Sequence, residues 1–122
     1  MNFKESRPIY LQIADRIMDE IMQHAYSEGG RIPSVREYAA TVEVNANTVV
    51  RSFDWLQQQE IIFNRRGIGY FVSEGACGTI SRLHRREFEE EELPEMFRRM
   101  QMLGITADDI NRLYKQFIDS GK

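Results

Sequence analysis

Arginine and asparagine, rather than histidine or cysteine, are the residues whose types and spacing in this chain could do chemistry. Asn45, Asn47, Thr48 and Arg51 lie close together, with Arg36 upstream and Arg65-Arg66 downstream. A guanidinium presents paired donors that match a guanine edge, and an asparagine amide can match adenine in the same bidentate way. Catalysis is poorly served by comparison. No activated nucleophile or phosphate-cradling loop is present, and His24 and His84, the histidines available as general bases, both sit on charged segments. Cys77 has no flanking His or Lys to lower its pKa, and alone it forms neither an internal disulfide nor a Cys-based metal cage. His84, Glu87 and Glu91 share a helical face, a spacing that arises easily by chance. No metal and no cofactor is assigned, and the chain reads as a non-enzyme.

Taken singly, each cation has a bland explanation. Arg51 is a solvated helix residue, Arg65-Arg66 a solvated turn, and Ser34 a helix cap. The net charge of −3 over 122 residues also weighs against a nucleic-acid partner. Bulk charge, however, describes only the distant field, whereas contact depends on where the cations are placed. The elements that carry them therefore decide the matter.

Pro8 opens an amphipathic helix in which Tyr10, Ile13, Ile17 and Ile21 recur at helical spacing, running to about Ala25, with Asp15 and Arg16 on the polar side. Ser34-Val35-Arg36-Glu37 is a capping box that starts a short second helix fading near Thr41 to Glu43. Asn45, a favoured N-cap, starts a third helix whose Val49, Phe53 and Leu56 face inward; it should run to about Gln58, roughly 20 Å at ~1.5 Å per residue. Ile61 to Asn64 and Tyr70 to Ser73 are β-prone runs around Arg65-Arg66-Gly67-Ile68-Gly69, which predicts a basic hairpin. Helix, helix, turn, helix and hairpin is the order of a winged helix-turn-helix. In that architecture the third helix enters the major groove of double-stranded DNA and the second crosses the backbone. The candidate DNA-contacting set is Ser34, Arg36, Asn45, Asn47, Thr48, Arg51, Arg65, Arg66 and Gly67. A winged helix used for protein or structured-RNA contacts is the alternative, and it predicts binding indifferent to DNA sequence.

Gly75 to Gly78 reads as a linker, giving residues 1–75 as the DNA-binding domain and 76–122 as a helical dimerisation tail. Thr79 to Leu103 is helical in pattern, with Pro94 expected to kink or restart it. Gly104 suits a left-handed helix end, and Thr106 caps a last helix. Leu93, Met96, Phe97, Met100 and Leu103, then Ile110, Leu113, Tyr114, Phe117 and Ile118, form two stripes too apolar to face water. A homodimer through residues 79–119 would bury them. Arg85 and Arg86 are expected to pair with Glu89 and Glu90 within one helix. The fold class is thus mainly α with a small β-hairpin, an N-terminal winged helix-turn-helix followed by a two-helix tail. The 42% hydrophobic share suits a globular chain, with no apolar run long enough to span a membrane. Residues 1–7 lack the pattern of a secretory leader, so a cytoplasmic protein is expected.

These residues resemble the GntR family of bacterial regulators, and more narrowly its short YtrA-like subfamily. The resemblance is carried by Pro8-Ile9-Tyr10 with Gln12-Ile13, by Ile32-Pro33-Ser34-Val35-Arg36-Glu37, and by Val44-Asn45-Ala46-Asn47-Thr48-Val49 with Arg51. It ends with Arg65-Arg66-Gly67-Ile68-Gly69-Tyr70-Phe71-Val72, so that it covers roughly residues 7 to 73. The tail is shorter than the effector-binding domain of larger relatives, which is what suggests the subfamily. The resemblance implies an operator-DNA partner, repression, a homodimer, and DNA-contacting roles for Arg36, Arg51, the Asn45-to-Thr48 turn and the Arg65–Gly67 tip. It assigns no small-molecule effector. Two departures matter. Ala46 stands where relatives often have proline, and Glu43, where they often have glycine, must occupy a tight turn. Phe53-Asp54-Trp55 also differs from the usual run, so base preference does not carry over.

Overall fold

Helix α1 (Ile9–Met22) is entered through Pro8, whose φ of −53° and ψ of 149° leave it just outside the helix. The computed structural model describes residues 7–121; residues 1–6, where no leader was expected, and residue 122 lie outside the described residues. Ile13, Ala14, Ile17, Met18 and Ile21 are buried, as their spacing predicts. Asp15 is not on the polar side. It is buried, and both its carboxylate oxygens accept from Arg7 Nη1 at 3.0 Å, so the charge enters the interior already paired. The helix stops short of Ala25 because His24 turns left-handed (φ 63°), letting the Ala25 N–H reach back to the Glu20 carbonyl at 2.9 Å.

Helix α2 (Val35–Val42) begins at the expected capping box, with Glu37 N–H donating to Ser34 Oγ at 3.2 Å and Ser34 N–H donating to Glu37 Oε1 at 2.9 Å. Its buried Tyr38 donates its hydroxyl to Glu20 Oε1 at 2.8 Å, tying α2 to α1. Glu43 ends the helix with φ 57° and ψ 47°, the left-handed conformation that the tight turn demands. Helix α3 (Ala46–Gln58) starts at Asn45, whose side-chain oxygen accepts from Asn47 N–H at 2.8 Å. Val49, Phe53 and Leu56 are buried as expected. So is Ser52, whose Oγ donates to the Tyr10 carbonyl at 2.7 Å and so joins α3 to α1.

Strands β1 (Ile62–Arg65) and β2 (Gly69–Val72) pair antiparallel, with Phe63 opposite Phe71 and Arg65 opposite Gly69. Arg65 therefore lies in a strand, leaving Arg66-Gly67-Ile68 as the turn. Ile68 N–H closes it on the Arg65 carbonyl at 2.9 Å, and Gly67 takes the positive φ of 78° that such a turn requires. The hairpin is wider than expected. Residues 29–32 lie along β2, with Gly29 N–H donating to Val72 O at 2.8 Å, Ile32 N–H to Tyr70 O at 3.0 Å, and Arg31 bridging Phe71. Phe53 links α3 to this wing: its ring meets Tyr70 edge-on at 4.8 Å and Tyr38 at 6.4 Å.

The segment read as a linker is helical. Helix α4 spans Ala76–Glu87, and Ala76, Ile80 and Leu83 complete the core of the first compact unit, which divides from the second between Leu83 and His84. The reason lies far upstream. The Glu28 carboxylate accepts from Gly75 N–H at 2.8 Å and Cys77 N–H at 3.1 Å, satisfying donors that would otherwise be orphaned at the helix start.

In the second unit, Phe88–Glu92 forms a π-helical turn immediately before α5 (Leu93–Leu103). Proline at residue 94 lacks an N–H and crowds the preceding turn, and the widened π turn accommodates it without breaking the helix. Gly104, at φ 72°, ends α5, and a Thr106–Asp109 capping box starts α6 (Ala107–Asp119). Arg85 pairs with Glu89 at 2.9 Å as expected, whereas Arg86 makes no ion pair among the described residues. No residue of α5 or α6 is buried within this chain. The structure is mainly helical with a two-stranded antiparallel hairpin, the class expected from the sequence.

Candidate nucleic-acid interface

Capping geometry sorts the candidate residues before any partner is considered. The oxygens of Ser34 and Asn45 are engaged on the first turns of α2 and α3, which makes both residues builders of the helix starts. Thr48, in the first turn of α3, is half-buried. Asn47 and Arg51, one turn apart, are exposed, as is Arg36 in the first turn of α2. Helix α2 packs on α3, and α3 packs on β1, so one framework carries these side chains and the wing. Arg66 and Gly67 occupy the exposed wing tip.

The electrostatics of the arginines are informative. Arg7 and Arg16 are paired with Asp15 and Glu20. Arg36, Arg51, Arg65 and Arg66 have no ion pair among the described residues, so their donors remain available. Two of the four are held by rings instead. Arg51 lies over Tyr10 at 4.2 Å from the ring centroid, and Arg65 lies 5.2 Å from Phe71 and 5.8 Å from Phe63, whose rings stack at 5.7 Å. Beside Arg51 is a shallow depression of about 240 Å³ lined by Tyr10, Arg51, Asp54, Trp55 and Gln58.

Several residues here were not anticipated from the sequence. Arg31 lies on the wing with its guanidinium against Gly69, where a Cβ would come within 3.0 Å of Nε. Nothing in the order of residues reveals that its segment joins the hairpin. Ser52 was legible in principle, because residues 49, 52, 53 and 56 complete one helical stripe. The helical spacing of Tyr10 gives no hint that its ring lies under Arg51.

The rest of the described chain offers little chemistry. Desolvation and the neighbouring Glu28 carboxylate push the Cys77 thiol up, away from its reactive form. No group of three or more His, Cys, Asp or Glu among the described residues could hold a metal, and no described helix is long and apolar enough to cross a membrane.

Three helices with a tight left-handed turn before the third, followed by a basic hairpin, define a winged helix-turn-helix protein. The model of the family described as bacterial regulatory proteins, gntR family, matches residues 9–72, and the chain belongs to that family. It is 34% identical over 119 residues to YhcF of Bacillus subtilis, an uncharacterized HTH-type transcriptional regulator, covering 98% of this chain and 97% of that protein. It is 27% identical over 113 residues to the HTH-type transcriptional repressor YtrA of Bacillus subtilis, covering 93% and 86% respectively. Among solved structures, a putative GntR-family transcriptional regulator from Bacteroides thetaiotaomicron is 50% identical, with a TM-score of 0.84 over 94% of this chain and 100% of that one. AraR(DBD) in complex with operator ORR3 is 26% identical, with a TM-score of 0.52 over 54% of this chain and 80% of that one.

Proposed function

We propose that this chain is a cytoplasmic, YtrA-like transcriptional repressor that binds an inverted-repeat DNA operator as a homodimer. The observation that carries the reading is the set of uncommitted guanidiniums, Arg36, Arg51, Arg65 and Arg66, on the helix-turn-helix and wing of a chain whose net charge is −3. Cations left without carboxylates on the elements that enter a groove are what a phosphate-rich partner needs. The operator complex of AraR(DBD), which shares this fold, supports DNA as that partner. The name of YtrA supports repression.

Each residue then has a defined task. Asn47 and Arg51 face base edges from α3. Arg36 and the wing cations Arg31, Arg65 and Arg66 position the protein on phosphates, with Gly67 allowing close approach. Ser34 and Asn45 set the starts of the two helices, and with Thr48 they contribute only secondary contacts. In the tail, Phe97 is 50% exposed, Leu103 69%, Tyr114 64% and Phe117 52%, a density of apolar surface that a second copy would bury. Leu93, Met96, Met100, Ile110, Leu113 and Ile118 complete the two stripes assigned to that contact. A twofold dimer pairs two α3 helices with half-sites one or more helical turns apart. Selection of bound duplexes from a random pool tests the reading. A recovered inverted repeat is expected; recovery of no preferred sequence would favour a winged-helix interaction module instead.

A further inference from the structure

The guanidinium of Arg51 is held over a ring and not by an ion pair. It lies 4.2 Å from the Tyr10 ring centroid and makes no ion pair or hydrogen bond among the described residues. A cation–π contact of this kind leaves the guanidinium N–H donors able to bond elsewhere. The ring thus restrains the guanidinium without an ion pair or hydrogen bond to it, leaving its donors free for a base. Without such a support, a long exposed arginine loses much rotamer freedom on binding, which subtracts from affinity and blurs discrimination.

The platform itself is fixed. The Tyr10 carbonyl accepts from Ser52 Oγ at 2.7 Å across 42 residues of sequence, and Ser52 is fully buried next to Arg51 on α3. The same inter-helix joint therefore fixes the backbone that carries the ring against the helix that carries the arginine. Asp54, Trp55 and Gln58 form the rest of the depression.

From this geometry we infer that Tyr10 is a positioning residue for base reading: its ring holds the Arg51 guanidinium in place for its donors to meet a base pair. Part of the sequence specificity then resides in α1, outside the helix-turn-helix. The inference rests on the reading of Arg51 as a base contact.

The test uses the full chain and a duplex selected from a random pool by the wild-type protein, with single-base variants of it. Affinities are measured by fluorescence anisotropy for wild type, Tyr10→Phe, Tyr10→Leu, Arg51→Ala and Tyr10→Leu/Arg51→Ala, and folding is checked by thermal melting. Tyr10→Phe keeps the ring and should bind within about twofold of wild type. Tyr10→Leu should weaken the selected duplex by about 3- to 10-fold. Its reduced discrimination should fall at the base pair that Arg51→Ala identifies, and it should add little to Arg51→Ala in the double variant. A uniform weakening across all duplexes, or a full additional weakening in the double variant, overturns the positioning role while leaving Arg51 as a reader. Tyr10→Phe weakening as much as Tyr10→Leu overturns it too, because the hydroxyl would then be the contact. If Arg51→Ala leaves base preference unchanged, the reading of Arg51 fails and this inference fails with it.

Discussion

The carboxylate of Glu28 caps the start of α4 across the fold, accepting from the Gly75 N–H at 2.8 Å through one oxygen and from the Cys77 N–H through the other. These bonds, with a smaller contribution from nearby His24, hold the Glu28 carboxyl below its ordinary value of 4.5. A depressed carboxylate stabilises the fold above its unfolded value, and that contribution is lost as pH falls through the folded one. Glu28→Gln should therefore lower the denaturant midpoint at neutral pH, with the gap to wild type closing below pH 4.5. Glu37 and Asp109 are also lowered, by the backbone N–H groups of their own capping boxes, but both variants share them and they cancel in the difference. A gap independent of pH would contradict this account.

Base reading and phosphate contact should separate experimentally. Arg51→Ala is expected to relax preference at one position per half-site, costing about 1–3 kcal/mol there. Arg66→Ala, at the wing tip, should weaken all duplexes alike and lower the salt slope by about one unit for each phosphate left unneutralised. Titrations at several salt concentrations distinguish them. Identical behaviour of the two variants would dissolve the division of labour.

Gly69 makes room for Arg31. At φ 144° a side chain is strained, and a Cβ there would meet Nε at 3.0 Å, so alanine should strain the strand and nudge the guanidinium aside. Arg31→Ala is expected to lower the salt slope by about one unit per phosphate, and Gly69→Ala to weaken affinity in the same direction but by less. In an Arg31→Ala background it should cost no further affinity, and an additive effect would show that Gly69 serves the strand alone.

Glu43 holds φ 57° and ψ 47° between α2 and α3. A side chain in this conformation is unfavourable, and glycine relieves that at the expense of extra freedom in the unfolded chain. Glu43→Gly should raise unfolding free energy by about 0.5–1 kcal/mol in urea titrations. Destabilisation would mean that the Glu43 side chain contributes a contact of its own.

For the tail, Phe117→Asp should give a folded monomer by light scattering. Removing one large apolar side chain from each half of a symmetric contact is expected to weaken dimerisation roughly 100-fold or more. Wild-type protein that is itself monomeric at micromolar concentration would remove the basis for this assignment.

Sequence alone determined whatever depends on neighbours within a few turns. The apolar spacing of α1 and α3, the capping box at Ser34, the cap at Thr106, the glycine at the wing tip and the left-handed demand on Glu43 all arise from local backbone chemistry, and all were legible. Tertiary structure decided what requires distant segments to meet. It buried Asp15 against Arg7, turned the supposed linker at residues 75–78 into the start of α4 through Glu28, added residues 29–32 to the wing, and set Arg51 on Tyr10. Hydrogen bonds and ring contacts of this kind leave no periodic trace in a chain, because chain folding rather than residue spacing brings their partners together.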